Sequence, residues 1–255
     1  MISDYLQAIF LAFVQGVSEF IPVSSSAHLV IFSEFLNFNG QSLIFDVGLH
    51  LGSLIAIIFF FRNDLLKIKN NKKLLKLIII GSLPLIIFGY YFISFGIINI
   101  LRNIEVIGWS TLVFGLLLYY ADSFKVARNL DKDLNTKNIL IIGMMQVLSL
   151  MPGVSRSGII ITVGRLLNFN REDSVKISFF LSIPALLGAS IISIKDVTNE
   201  SFEFNILLLI SILVSFIFSY LTIKYLLIYV QKFSMKIFVV YRIILSFFIF
   251  FIIYT

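Results

Sequence analysis

The amino-acid sequence predicts an all-α polytopic membrane protein with an inverted-topology repeat, each half being a re-entrant helical hairpin followed by three transmembrane helices. Three observations predict this fold: the composition, the lengths of the apolar stretches and the positions of the basic residues. Of 255 residues, 59% are hydrophobic and 13% are charged, and the mean hydropathy is +1.01. No soluble fold hides that much apolar surface. Because the chain has no cysteine, disulfides, thiolate-bound zinc and a thiol nucleophile are excluded.

Six apolar stretches are long enough to cross a membrane. A hydrocarbon core of about 30 Å requires about 20 helical residues, and about 17 are sometimes enough. The stretches that meet this length are 45–61, 74–98, 104–121, 175–194, 204–230 and 237–254.

Two further regions contain pairs of apolar runs that are too short to cross. In the first, an apolar run ends near Ile21, before Pro22 and three serines, and a short run follows over 27–38. In the second, a run over 139–151 stops at Pro152, and another short run ends at Leu167. Because proline ends a helix, each pair predicts a re-entrant hairpin of two half-helices with a polar tip. We call residues 15–28 the first tip and residues 152–158 the second tip.

The basic residues give the orientation. Of the 20 lysines and arginines, 16 lie in four segments, which are 62–76, 122–137, 165–176 and 224–236. Basic residues accumulate in short cytoplasmic loops, so these segments are expected inside, and both termini and the loop at 195–203 outside.

Threading the six spans between these sides requires the two hairpins to enter from opposite faces. We therefore expect a single membrane domain over 1–255, with inverted repeats at roughly 1–121 and 138–255. Residues of the two tips also match at an offset of 131: Gln15, Ser18, Val23, Ser24 and Ser26 correspond to Gln146, Ser149, Val154, Ser155 and Ser157.

The two tips together predict an anion site. Inverted repeats with broken helices bring their polar tips together near the middle of the membrane. Here the tips supply the carboxylate of Glu19, the imidazole of His28, the guanidinium of Arg156 and several serines. Helix N-termini bind phosphate through free N–H groups, and a guanidinium can clamp two phosphate oxygens. Because a charged side chain at the bilayer centre costs about 2.5–3.5 kcal/mol, Glu19 and Arg156 are expected to be functional.

These residues resemble the undecaprenyl-diphosphate phosphatase family of the bacitracin-resistance type. The resemblance is carried by QGVSEFIPVSSSAH at 15–28 and PGVSRSG at 152–158, with weaker support from 45–52 and 180–184. It implies an integral membrane enzyme of the bacterial plasma membrane, with a site open to the outer face. The reaction would convert undecaprenyl diphosphate to undecaprenyl phosphate and inorganic phosphate. This recycles the lipid carrier for peptidoglycan synthesis and confers bacitracin resistance.

The resemblance implies that the catalytic residues are Glu19, Ser25, His28 and Arg156. Arg156 would hold the terminal phosphate, Ser25 or a water would attack phosphorus, and His28 would act as base or second-stage acid. Glu19 would either orient that base or hold a divalent cation, Mg²⁺ or Ca²⁺, together with substrate phosphates. The residues expected to bind substrate are Gln15, Ser24, Ser26, Gly153, Ser155, Ser157 and Gly158.

Other readings stay open at this point. Inverted repeats with discontinuous helices also occur in secondary transporters, so a transporter or flippase of an anionic or lipid-phosphate substrate is the alternative. The expected partners are a prenyl diphosphate and membrane lipids, without nucleic acid, and a homodimer is left open. We interpret Asp46 and His50 as structural residues. Arg242 is expected to reach the membrane interface with its long side chain.

Overall fold

The computed structural model describes residues 2–36, 42–197 and 202–254. Within these ranges the regular structure is helical, apart from a single isolated bridge between Arg128 and Phe169. The helices are α1 Ile2–Ser18, α2 Ser25–Leu36, α3 Leu43–Phe60, α4 Arg62–Asn70, α5 Lys72–Ser94, α6 Ile97–Leu101, α7 Ile104–Asp122, α8 Leu130–Asp133, α9 Thr136–Gln146, α10 Arg156–Leu166, α11 Arg171–Val197, α12 Phe202–Lys232 and α13 Lys236–Tyr254.

Five of the six membrane spans expected from the sequence are present as long apolar helices. Among the described residues, five helices are long and apolar enough to cross a membrane: α5, α7, α11, α12 and α13. The sixth expected span, 45–61, forms α3, which belongs to the shorter apolar helices. The protein is therefore an all-α, multi-pass membrane protein. The loop at 195–203, which we expected outside, lies partly beyond the described residues.

Both predicted hairpins are present, and their tips share an unusual backbone conformation. In the first hairpin α1 is followed by α2, and in the second α9 and a 3-10 turn over Val147–Leu150 are followed by α10. Ser24 and Ser155 have φ angles of 76° and 70°, in the left-handed region that side chains other than glycine rarely adopt. Each serine directly precedes a half-helix, and the two are related by the offset of 131. The hairpin tips thus share a left-handed serine at matching positions.

Helices from the first half of the chain pack on helices from the second half, and the reverse also holds. Helices α1 and α3 pack on α12, and α9 and α11 pack on α5, while α3 also contacts α11 and α7 contacts α13. Close approach requires glycine, since a Cβ at Gly52 would lie 2.4 Å from the Ile212 carbonyl oxygen of α12. Such an exchange of helices fits the expected repeat. The opposite orientation of the halves and the boundaries 1–121 and 138–255 stay predictions.

One buried ionic cluster joins four helix ends away from the tips. The Asp122 carboxylate at the end of α7 accepts hydrogen bonds from Arg171 at 2.7 and 3.0 Å and from the Met235 N–H at 3.0 Å. Arg165, near the end of α10, lies 3.4 Å from Asp122 Oδ1 and donates to the Phe124 carbonyl at 2.5 Å. We call these residues the Asp122 cluster. It ties α7, α10 and α11 to the segment before α13.

Arg242 lies elsewhere than expected. The prediction that it reaches the membrane interface is wrong, because its side chain is fully buried and donates hydrogen bonds to backbone carbonyls. The physical reason is that α13 packs along α7, and the Arg242 face of α13 meets both hairpin tips.

Candidate active site

The two hairpin tips are in direct contact. The Ser24 hydroxyl oxygen of the first tip accepts a hydrogen bond of 3.1 Å from the Gly153 N–H of the second tip. The Ser157 hydroxyl of the second tip donates to the Ile21 carbonyl at 2.9 Å. The meeting of the tips that the sequence predicts is therefore present.

An ion pair also joins the tips. Glu19 lies in the turn after α1, and its carboxylate is buried, with 4% of the side chain exposed. Its Oε1 atom accepts a hydrogen bond from Nη2 of Arg156, the first residue of α10. The second arm of the guanidinium, Nη1, donates to the Ser182 carbonyl of α11 at 3.3 Å. Arg156 is thus held from two directions, and one of its partners carries a full negative charge.

The second carboxylate oxygen of Glu19, Oε2, accepts hydrogen bonds from uncharged side chains. Oε2 accepts hydrogen bonds from the Ser25 hydroxyl at 2.6 Å and from Gln15 Nε2 at 2.8 Å. His50 Nδ1 lies 3.3 Å from the same oxygen and 2.7 Å from Gln15 Nε2. Because the Ser25 hydroxyl donates to a carboxylate, Glu19 is placed to accept its proton. A nucleophile and its general base can make a contact of this kind.

A cavity of about 480 Å³ opens onto these groups. Its polar end contains charged, imidazole and hydroxyl groups from both tips and α3. Its walls come from α5 and α11 and are mainly apolar. The residues of the polar end are Glu19, Ser24, Ser25, Ser26, His50, Ser149, Ser155 and Arg156, and the walls include Leu85, Ile86, Tyr90, Ile93, Leu186 and Ile191.

Several expected substrate-binding residues support the cavity without lining it. Gln15 is fully buried and holds Glu19, and Ser157 bonds the first tip. The Gly158 N–H is capped by the Ser155 hydroxyl at 3.0 Å. Gly153 has a φ of 91°, and a Cβ there would lie 2.0 Å from Ser110 Oγ, so only glycine fits. By contrast, Ser24, Ser26 and Ser155 line the cavity as expected.

His28, which we expected as acid or base, does not line the cavity. Its Nδ1 lies 2.6 Å from the Ser24 carbonyl oxygen, and its Nε2 lies 2.5 Å from the Tyr241 hydroxyl. A carbonyl only accepts, so this network assigns the proton to Nδ1 and leaves Nε2 to accept from Tyr241. Both nitrogens are therefore engaged beside the tip, and the imidazole is buried.

The histidine that does line the cavity is His50, which the sequence analysis interpreted as structural. A signal for it existed, because an ionisable side chain inside an apolar helix is expensive and is a functional candidate by default. His50 lies one helical turn from Asp46, and this spacing suggested a pair on α3. In the structure His50 contacts Gln15 of α1.

The Glu19 carboxylate fits a divalent cation held jointly with phosphate, because it lies at the polar end of the cavity. Gln15 carries no charge, and its Nε2 donates to the same carboxylate at 2.8 Å. Across the described ranges, no group of three or more histidine, aspartate or glutamate side chains is placed to hold a metal ion. A cation at this site would therefore need ligands from the substrate phosphates. One carboxylate with substrate phosphates is an ordinary magnesium arrangement. Glu19, which lines the cavity, is therefore the residue that would hold the cation.

Fold and site together define a multi-pass membrane protein with a polar, charged site at the end of an apolar-walled cavity. The family model described as "Bacitracin resistance protein BacA" matches residues 8–248. The chain belongs to this bacitracin resistance protein family.

Curated relatives match over almost the whole chain. A protein of Pelagibacter ubique (strain HTCC1062) named undecaprenyl-diphosphatase is 54% identical over 256 residues, covering 100% of both chains. Proteins with the same name from Elusimicrobium minutum (strain Pei191) and Alcanivorax borkumensis are 42% and 37% identical. These two alignments cover 94% and 95% of this chain and 95% and 97% of the relatives.

Proposed function

We propose that the protein hydrolyses undecaprenyl diphosphate to undecaprenyl phosphate and inorganic phosphate, and so recycles the lipid carrier of peptidoglycan synthesis. The observation that carries this proposal is the contact of Glu19 with both Arg156 and Ser25 at the polar end of an apolar-walled cavity. The names of the relatives and the bacitracin resistance family support the same reaction.

Substrate binding begins with an exchange of partners at Arg156. A diphosphate entering the cavity competes with Glu19 for the guanidinium, which can hold two phosphate oxygens at once. The N-termini of α2 and α10 begin at Ser25 and Arg156 and supply further N–H donors for the phosphate. The hydroxyls of Ser24, Ser26 and Ser155 complete the set of donors. Once Arg156 has turned to the phosphate, Glu19 is free to accept a proton.

The chemistry then follows from the Ser25 contact. The Ser25 oxygen attacks the terminal phosphorus, its proton passes to Glu19 Oε2, and the bond from that phosphorus to the bridging oxygen breaks. Undecaprenyl phosphate leaves, and the phosphoryl group remains on Ser25 until a water cleaves the Ser25 ester and releases inorganic phosphate. Arg156 and the N–H donors stabilise the charge on the transferring phosphoryl oxygens. A divalent cation held by Glu19 together with substrate phosphate would supply further positive charge at the site.

The apolar part of the cavity would bind the isoprenoid chain of the substrate. Leu85, Ile86, Ile93 and Leu186 form an apolar surface that continues from the phosphate end between α5 and α11. An isoprenoid chain buries apolar area there, at about 25 cal/mol per Å². We place the protein in the bacterial plasma membrane with the site facing outside, because the basic segments are expected on the cytoplasmic side.

The test is release of inorganic phosphate from undecaprenyl diphosphate by purified protein in detergent. Wild type is expected to release phosphate, and Ser25→Ala to lose at least about 100-fold in turnover, because the nucleophile is removed. Ser33→Ala is the matched control, since Ser33 lies on the same helix but bonds the Val30 carbonyl. Lipid-dependent flux across vesicles without phosphate release would instead favour the carrier alternative.

A further inference from the structure

Arg242 is the most heavily engaged buried cation among the described residues outside the Asp122 cluster. It lies on α13, its side chain is fully buried, and all three guanidinium nitrogens donate hydrogen bonds. The acceptors are five backbone carbonyls: those of Ser110 and Thr111 on α7, Pro22 in the first tip, and Gly153 and Val154 in the second tip, at distances of 2.8–3.4 Å.

This arrangement is expensive, which argues for a purpose. No carboxylate forms a salt bridge with Arg242 in the part of the chain that the structure describes. A buried charge without an opposite charge is maintained only when hydrogen bonds satisfy it. Packing alone would be served as well by an apolar side chain of similar volume. The feature that an apolar residue could not supply is the simultaneous attachment of both tips to one rigid group.

The hydrogen bond from Arg242 to Val154 fixes the orientation of the peptide between Val154 and Ser155. In a planar trans peptide, the C=O and the following N–H point in opposite directions. The Val154 carbonyl points at Arg242, so the Ser155 N–H points away from Arg242, and Ser155 lines the cavity. Ser155 also carries the strained φ of 70° and directly precedes Arg156, the phosphate-clamping residue. A strained backbone persists only when its surroundings hold it, and Arg242 contributes to this by bonding the two carbonyls that precede Ser155.

We propose that Arg242 is a positioning residue that sets the register of the two tips, and thereby the placement of Arg156 and the α10 N-terminus against Ser25. It touches no substrate and acts through Pro22, Gly153 and Val154. This inference rests on the proposed phosphatase function. The attachment acts on turnover more than on binding, because the contacts it aligns must match the transferring phosphoryl group, whereas the lipid chain binds to α5 and α11 regardless.

The first experiment compares two buried arginines. Arg242→Lys keeps the charge but cannot span five carbonyls, and Arg165→Lys makes the same change in the Asp122 cluster, away from the tips. Both variants are expected to lower the melting temperature. Per folded protein, Arg242→Lys is expected to lose about tenfold to 100-fold in kcat on undecaprenyl diphosphate, with KM changed less than about threefold. Arg165→Lys is expected to keep kcat and KM.

A double-mutant cycle separates positioning from a general loss of structure. Ser157→Ala removes the hydrogen bond from the Ser157 hydroxyl to the Ile21 carbonyl of the first tip, does not touch the cavity, and is expected to reduce kcat about fivefold in wild type. If Arg242 acts through tip register, the same change costs less than about twofold in the Arg242→Lys background. In the Arg165→Lys background the full effect remains, because independent sites are additive.

A second variant covers the case in which Arg242→Lys does not fold. A Cβ added at Gly115 of α7 would lie 3.1 Å from Arg242 Cβ and 3.3 Å from its Nε, so Gly115→Ala displaces the side chain without removing it. It is expected to lower kcat in the same direction. Wild-type kcat in a folded Arg242→Lys, wild-type kcat in Gly115→Ala where Arg242→Lys does not fold, or additivity with Ser157→Ala overturns the inference. Failure of wild type to release phosphate would instead overturn the proposed function.

Discussion

The substitution Arg156→Lys isolates the geometry of the guanidinium from its charge. In the structure, one arm of Arg156 donates to Glu19 and the other to the Ser182 carbonyl, so both ends of the fork are oriented before substrate arrives. A lysine ammonium keeps the charge but presents it as a point on a flexible stem. It can meet one phosphate oxygen well and lacks the second parallel N–H. The variant therefore loses about one charge-assisted hydrogen bond to the transferring phosphoryl group.

The size of the loss follows from that single bond. A hydrogen bond to a charged group is worth about 1.5–3 kcal/mol, which corresponds to about tenfold to 150-fold in rate. Because the bond strengthens as charge develops on the phosphoryl oxygens, the loss is expected in kcat with little change in KM. The assay is steady-state phosphate release from undecaprenyl diphosphate in detergent, normalised to folded protein.

Arg165→Lys again serves as the control, because Arg165 is also buried and engaged but belongs to the Asp122 cluster. Full turnover in Arg156→Lys would show that two-point binding by the guanidinium is not required and that Arg156 acts through its charge alone. An equal loss in Arg165→Lys would show that the effect comes from disturbing any buried arginine.

Three further predictions concern the base, the tip and the topology. Glu19→Gln is expected to lower turnover about 100-fold while the protein stays folded, and a chelator is expected to lower wild-type turnover. An unchanged rate in Glu19→Gln would show that Glu19 is not the base, and an unchanged wild-type rate with chelator would show that no cation takes part. Gly153→Ala is expected to destabilise the protein by about 1–3 kcal/mol in thermal unfolding, because φ is 91° and a Cβ would meet Ser110 Oγ. A wild-type melting temperature would contradict this. Lys72→Cys and Phe95→Cys, at opposite ends of α5, are expected to differ in labelling by an impermeant thiol reagent in intact cells. Only position 95 should react, and reaction at position 72 would reverse the orientation.

Much of the fold could be predicted because membrane insertion depends on local properties of the sequence. Apolar length places the spans, and Pro22 and Pro152 mark the ends of half-helices that are too short to cross. The cost of burying a charge in a membrane identified Glu19 and Arg156, and the structure brings them together. These inferences need no knowledge of which helices are neighbours.

The remaining features depend on neighbours that spacing cannot give. His28 and His50 both lie on apolar helices, and only the packing of the helices decides that His50 meets the cavity while His28 meets Tyr241. Arg242 lies on a helix near the end of the chain, where a long side chain can reach an interface if its face is free. That face is instead covered by α7 and both tips.

We propose that one site, formed by both tips, cleaves a lipid diphosphate with Arg156 as its phosphate clamp. The most direct measurement is phosphate release from undecaprenyl diphosphate by purified wild type and Arg156→Ala, at equal amounts of folded protein. Wild type is expected to release phosphate and Arg156→Ala to lose almost all of this activity, because no other cation lines the cavity within the described residues. Wild-type turnover in Arg156→Ala would contradict it and place the reaction outside this cavity.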